Sequence, residues 1–173
     1  MVRRLSPETV ATQHRWVRER DAVVDLINRV REDFSAVFDT HVDRIDADEY
    51  RAEVDRVFAE GDLAVNVAAL VAVLRNLDVE EDYPGFVVDE ILGRELAGMV
   101  AGNQPLGVLG EAAFHYVDLI HHPPEVPADG DGAADIDENR TAGLDDLEAA
   151  LAAGFQTRMP GWDWRERPSP FGI

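Results

Sequence analysis

Along the first third of the chain the apolar positions recur in steps of four and three. Trp16, Arg20, Val23, Ile27, Val30, Phe34, Val37 and His41 form one seam, six of the eight apolar, which is the period of an α-helix. Val17, Val24 and Phe38 widen the seam into a stripe that suits a bundle core better than a narrow two-stranded coil. Ser6, Pro7 and Glu8 form a helix start: a capping hydroxyl, a proline at the first helical position and an acid near the positive end of the dipole. From Pro7 onward no glycine or proline intervenes before Gly61. The pattern predicts one long N-terminal helix running to about Ile45.

Asp46 opens the next element as an N-cap, and Tyr50, Val54, Val57 and Phe58 mark a shorter amphipathic helix that Gly61 stops. Asp62 caps a third helix, from Leu63 to about Leu77, apolar on almost every side and therefore expected at the centre of the core. After the connector "DVEEDYPG", Pro84 opens a fourth helix carrying Val87, Val88, Ile91, Leu92, Leu96 and Val100, ended by Gly102 and Asn103. Pro105 opens a fifth, stopped after His122 by Pro123 and Pro124. Residues 123–140 are rich in Pro, Gly and Asp and read as an acidic surface loop. A short helix around Leu144–Ala153, closed by Gly154, precedes a tail without helical period.

These elements define an all-α fold, an irregular helical bundle of about five to six helices with a long N-terminal helix and an extended C-terminal tail. The chain reads as one folded domain in four parts. Residues 1–60 hold the long and the short helix, 61–122 the helical core, 123–140 the acidic loop, and 141–173 the last short helix and the aromatic–arginine tail.

Composition changes the picture through charge. The 173 residues carry 35 acids against 16 bases, a formal charge of -19, and every base is arginine. A GC-rich genome favours Arg over Lys, and a cytoplasm holding molar salt tolerates so acidic a surface because the screening length falls to about 3 Å at 1 M. Together these point to a halophilic archaeon or its virus, and to a high-salt cytoplasm or a virion as the location. There is no cysteine, which excludes disulfides, zinc–thiolate sites and thiol catalysis. The N-terminus lacks the apolar stretch of a signal sequence, and the longest apolar run, residues 63–74, is too short for a membrane span.

Candidate chemistry concentrates in "AAFHYVDLIHHPPE", residues 112–125, which holds three of the five histidines. On a wheel of ~100° per residue, Leu106, Leu109, Ala113, Val117 and Ile120 share one arc with Phe114 beside it. Glu111, His115, Asp118 and His122 stack on the opposite side, spaced four, three and four apart. As pairs at i and i+4 they are the candidate ligands for a divalent metal such as Zn, Mn, Fe or Ni, the one cofactor considered. The competing reading, the solvated side of an amphipathic helix, is preferred, because neither an H-E-x-x-H motif nor paired E-x-x-H motifs occur. "DIDENRTAGLDD", residues 135–146, places Asp135, Asp137 and Asn139 as in a calcium loop. Arg140 and Asp146 stand where that pattern needs glycine and glutamate.

No phosphate-binding loop, dinucleotide fingerprint or nucleophile elbow is present. Arg3, Arg4, Arg15, Arg18 and Arg20 make the first 20 residues net basic, a possible contact for nucleic acid or an acidic partner, with nucleic acid the weaker choice. In the tail, Arg158, Met159, Trp162, Trp164, Arg165, Arg167 and Phe171 are residue types favoured as interface anchors. They are expected either to cover the chain's own core or to dock on a neighbour. The reading is a non-enzymatic helical interaction protein: an adaptor, assembly subunit or dedicated chaperone that binds a protein partner or itself. A metal-binding enzyme or sensor and a nucleic-acid-associated regulator are the alternatives.

Overall fold

The computed structural model describes residues 4–37, 39–77, 88–103, 106–121 and 142–162. These contain seven helices and no strand: α1 (Pro7–Arg18), α2 (Asp21–Val37), α3 (Ala47–Ala59), α4 (Gly61–Leu74), α5 (Val88–Ala101), α6 (Leu106–His121) and α7 (Ala142–Arg158). The protein is all-α, with two helices where the seam pattern predicted one. No single helix among the described residues is long and apolar enough to cross a membrane.

The N-terminal seam is apolar as expected, but the long helix is broken. Ser6 caps α1 through its hydroxyl, which accepts from the Thr9 amide at 3.2 Å. At Arg20 and Asp21 the i to i−4 ladder fails: the Arg20 amide bonds the Val17 carbonyl and the Asp21 amide bonds the Glu19 carbonyl, whereas the Glu19 amide still reaches Arg15. The cause lies elsewhere in the chain. The buried Tyr50 hydroxyl of α3 donates to the Val17 carbonyl at 2.8 Å, sharing with the Arg20 amide the acceptor that a continuous helix would give to Asp21. Arg20 turns back over the Trp16 ring, 4.2 Å from its centroid, and reaches Glu148 of α7. The break sends α1 onto α3 and α4 while α2 runs along α7 and α6.

The first helix pair is also pinned by charge, with His14 stacked on Phe58 and bonded to Asp55 at 2.7 Å. Asp55 loses some solvation there, yet hydrogen bonds from His14 and Arg18 outweigh that cost and lower its pKa.

α2 stops at Val37, and Asp39 takes a left-handed conformation (φ 46°). Residues 40–45, expected to be helical, return alongside α2. Asn28 holds them there, donating to the Ile45 carbonyl at 3.0 Å and accepting from its amide at 2.8 Å. Asp46 and Glu49 then form a reciprocal capping box on α3. α3 passes into α4 with a change of axis of 111°, so Gly61 opens α4 as well as ending α3.

The centre of the core is α7, not α4 as the sequence suggested. Every residue from Asp146 to Thr157 is buried, and α7 meets α2, α3, α4, α5 and α6. α4 exposes Val65 and Val73 instead. α7 escapes a hydrophobicity reading because alanine and glycine dominate it, and small residues carry a weak apolar signal. Their value is proximity. A Cβ on Gly154 would stand 2.7 Å from the Val100 Cβ and 2.9 Å from the Ala97 carbonyl of α5, and one on Gly110 of α6 would meet the same carbonyl at 2.6 Å. Gly154 is thus a packing residue inside the helix rather than its stop, and α7 continues to Arg158.

Buried polar groups tie α2 to α7. The fully buried Arg31 donates from Nε to the Gln156 side chain at 2.8 Å and from Nη1 to the Asp43 carbonyl. Burial lowers its pKa to about 10, opposed by the nearby Glu49 and Asp43 charges, so it stays cationic across the neutral range.

Gly154→Ala gains helix propensity of about 1 kcal/mol but drives a methyl into the α5 backbone. A net destabilisation of about 1–3 kcal/mol is expected, read as a lower denaturant midpoint at unchanged slope.

Candidate functional site

The polar end of the bundle is set by how α6 is rotated. Gly107, Gly110, Phe114 and Val117 face the core, because only glycine permits the close approach to α5. Val117 and Phe114 are buried as the wheel predicted, but Leu109, placed in the core by the same wheel, is exposed. The helix is turned so that its acids flank the packed side and its outer face is largely apolar.

That rotation sends the proposed ligand quartet to different neighbours. Glu111 lies against Gly98 of α5, where an added Cβ would sit 2.8 Å from its Cγ and Oε1. His115 is exposed and faces Glu90 at the start of α5, 3.3 Å away. Asp118 bonds Asp146 of α7. His122 lies outside the described residues.

The histidine on the packed side is His121, one turn beyond Val117 and two beyond Phe114, a position that the sequence reading passed over. Its Nε2 stands 3.1 Å from Glu148 Oε2 and 3.8 Å from Asp145 Oδ1. One ligand atom from each of the three residues lies within 4.8 Å of the others, a geometry able to hold a metal ion. Glu148 is only 3% exposed, and its other oxygen accepts from Arg20 at 3.3 Å. The arginine that the sequence offered for nucleic acid thus neutralises a buried acid of its own chain. Arg18 is likewise paired with Asp55, Arg4 and Arg15 are exposed, and Arg3 lies outside the described residues.

Beside this trio, Asp89, Asp118 and Asp146 bring three carboxyl groups together from α5, α6 and α7. Burial, then the Asp118 and Asp89 charges and their hydrogen bonds, push the Asp146 carboxyl up to about 9, so it is protonated at neutral pH. Asp146 was the last position of the calcium-like pattern; it stands inside α7, and positions 135–140 of that pattern lie outside the described residues.

The described part of the tail docks on its own body. Arg158, the last residue of α7, donates to the Val100 carbonyl at 3.1 Å and faces Glu53 at 3.4 Å. Met159 is fully buried. Trp162 donates from its indole nitrogen to the Gln156 carbonyl at 2.9 Å and lies beside Phe34 and the Arg31 guanidinium. A cleft of about 410 Å³ opens beside it, lined by Glu49, Glu53, Arg56, Arg158 and Trp162 among others. Trp164, Arg165, Arg167 and Phe171 lie outside the described residues.

Fold and polar end define an acidic all-helical bundle built around a glycine- and alanine-rich central helix. The chain belongs to the family described as Domain of unknown function (DUF7984), whose model matches residues 3–173. No curated protein and no solved structure matches it significantly.

The raised Asp146 pKa carries a signed pH dependence. A carboxyl that holds its proton more tightly when folded contributes most below its unfolded pKa of about 4, and stability is lost as pH rises towards 9. Asp146→Asn keeps the shape without the ionisation. It should flatten the fall in Tm between pH 5 and 9 and stabilise the protein by about 1–3 kcal/mol at pH 8, as measured by thermal unfolding across that range.

Proposed function

We propose that the protein is a helical interaction module that pairs with a second copy of itself through the outer face of α6, and serves as an adaptor or assembly subunit in a salt-rich cytoplasm or virion. The observation that carries this reading is the exposed apolar stripe on α6: Val108 is 53% exposed, Leu109 48% and Leu119 63%. A helix whose acids are turned against its own bundle while its leucines face outward has the polarity of an interface rather than of a solvated surface.

The stripe is self-complementary. Val108, Ala112, His115 and Leu119 follow one another at steps of four, three and four. An antiparallel α6 pair about a two-fold axis sets Val108 against the partner copy's Leu119, and Ala112 against its His115. The small alanine permits close approach where the imidazole must fit. A net charge of -19 opposes such pairing at low salt and ceases to do so when the screening length falls to about 3 Å at 1 M.

In about 2 M KCl, light scattering coupled to size exclusion should therefore show a dimer, and Leu119→Glu should give a folded monomer by burying an unpaired charge at the seam. A wild-type protein that stays monomeric at high concentration would refute this function. The same charge makes stability salt-dependent: Tm should rise between 0.1 and 2 M KCl, whereas an unchanged Tm would remove the argument for a salt-rich environment.

A further inference from the structure

We propose that His121, Asp145 and Glu148 form a binding site for one divalent first-row transition metal at the junction of α6 and α7. The three side chains come from two helices whose relative position is fixed by packing on both sides of the site. Val117 lies one turn before His121, and Leu147 lies between the two acids; both are fully buried.

Two of the three separations are close to those a metal imposes, and the two carboxylate oxygens lie within 4.8 Å of each other, near enough for side-chain rotation to close the set. A tetrahedral ion with bonds of about 2.0–2.1 Å sets its ligand atoms about 3.3–3.4 Å apart, and the His121 nitrogen lies 3.1 Å from Glu148 and 3.8 Å from Asp145. One imidazole with two carboxylates is a donor set of intermediate hardness, suited to Zn, Mn, Fe or Co and poorly suited to calcium, which takes six to eight oxygens. Two carboxylates and a neutral imidazole balance the charge of a divalent ion.

The site is also supported from outside. Arg20 occupies Glu148 Oε1 and leaves Oε2 facing the histidine, so it would orient the ligating carboxylate as an outer partner. In the present arrangement His121 Nε2 bonds Glu148. Metal binding replaces that contact with a bond from the Nε2 lone pair to the ion.

The test uses untagged full-length protein, stripped with chelator and returned to about 2 M KCl, titrated with Co(II) and followed by its visible ligand-field absorption. One Co(II) per chain, displaced by Zn(II), is expected. His121→Ala should weaken binding at least about 10-fold, and His115→Ala should leave it unchanged. Asp145→Asn, at a partly exposed position, should weaken it comparably and carries the test if circular dichroism shows His121→Ala to be unfolded. Absence of a Co(II) spectrum in the folded wild type overturns the proposal. So does wild-type affinity in Asp145→Asn, or a loss in His115→Ala equal to that in His121→Ala.

Discussion

The carbonyl of Ala97 is approached from two sides by helices that carry no side chain at the point of contact, Gly110 on α6 and Gly154 on α7. That close packing of three helices sets much of the remaining architecture. It brings the α5, α6 and α7 backbones nearer than leucine or valine would permit, and it fixes the rotation of α6. From the rotation follow the exposure of Leu109 and Leu119, the turning of Asp118 and His121 towards α7, and the burial of Phe114 against Gly93. A bundle built on small residues trades hydrophobic area per side chain for dense contact, where dispersion between close-packed atoms is strongest.

Such a core leaves little room, and polar groups buried in it must find partners at short range. Arg31 does so through Gln156 and a backbone carbonyl, Asn28 through both backbone groups of Ile45, and Tyr50 through the carbonyl released where α1 ends. The Arg31–Gln156 bond ties α2 to α7, and the others join an element to a return segment or a helix break, so they specify where the chain changes direction. The arrangement is consistent with buried polar groups acting as determinants of a particular topology while apolar packing supplies most of the stability.

The acidity of the chain takes two forms with different physics. Among the described residues most of the carboxylates are exposed and interact through solvent, where salt governs them. Asp89, Asp146 and Glu148 are buried beside Asp118, Asp145 and His121, where salt screens poorly and partners at short range, such as Arg20 on Glu148, act on the charge instead. The proposed dimer face and the proposed metal site both lie on α6, on opposite sides of it. The outer stripe and the inner trio are therefore separable by substitution.

The helical character of the chain, the Ser6 and Asp46 caps and the apolar seam from Trp16 to Phe34 were legible in the sequence, because capping and periodicity depend on residues a few positions apart. The break at Arg20 was not. No glycine or proline marks it, and its causes, Tyr50 and Glu148, are 30 and 128 positions away from Arg20. The place of α7 at the centre was hidden for a related reason: alanine and glycine score as weakly apolar along the chain and show their effect only when a second helix lies against them. For the site, the sequence by itself determined that histidine and carboxylate would cluster near the end of α6. Only the tertiary structure decided that His121 faces Asp145 and Glu148, since that depends on a rotation of α6 set by glycines packing on α5. Local chemistry is written in short intervals of sequence, whereas the facing of one helix towards another is fixed by contacts across the whole fold.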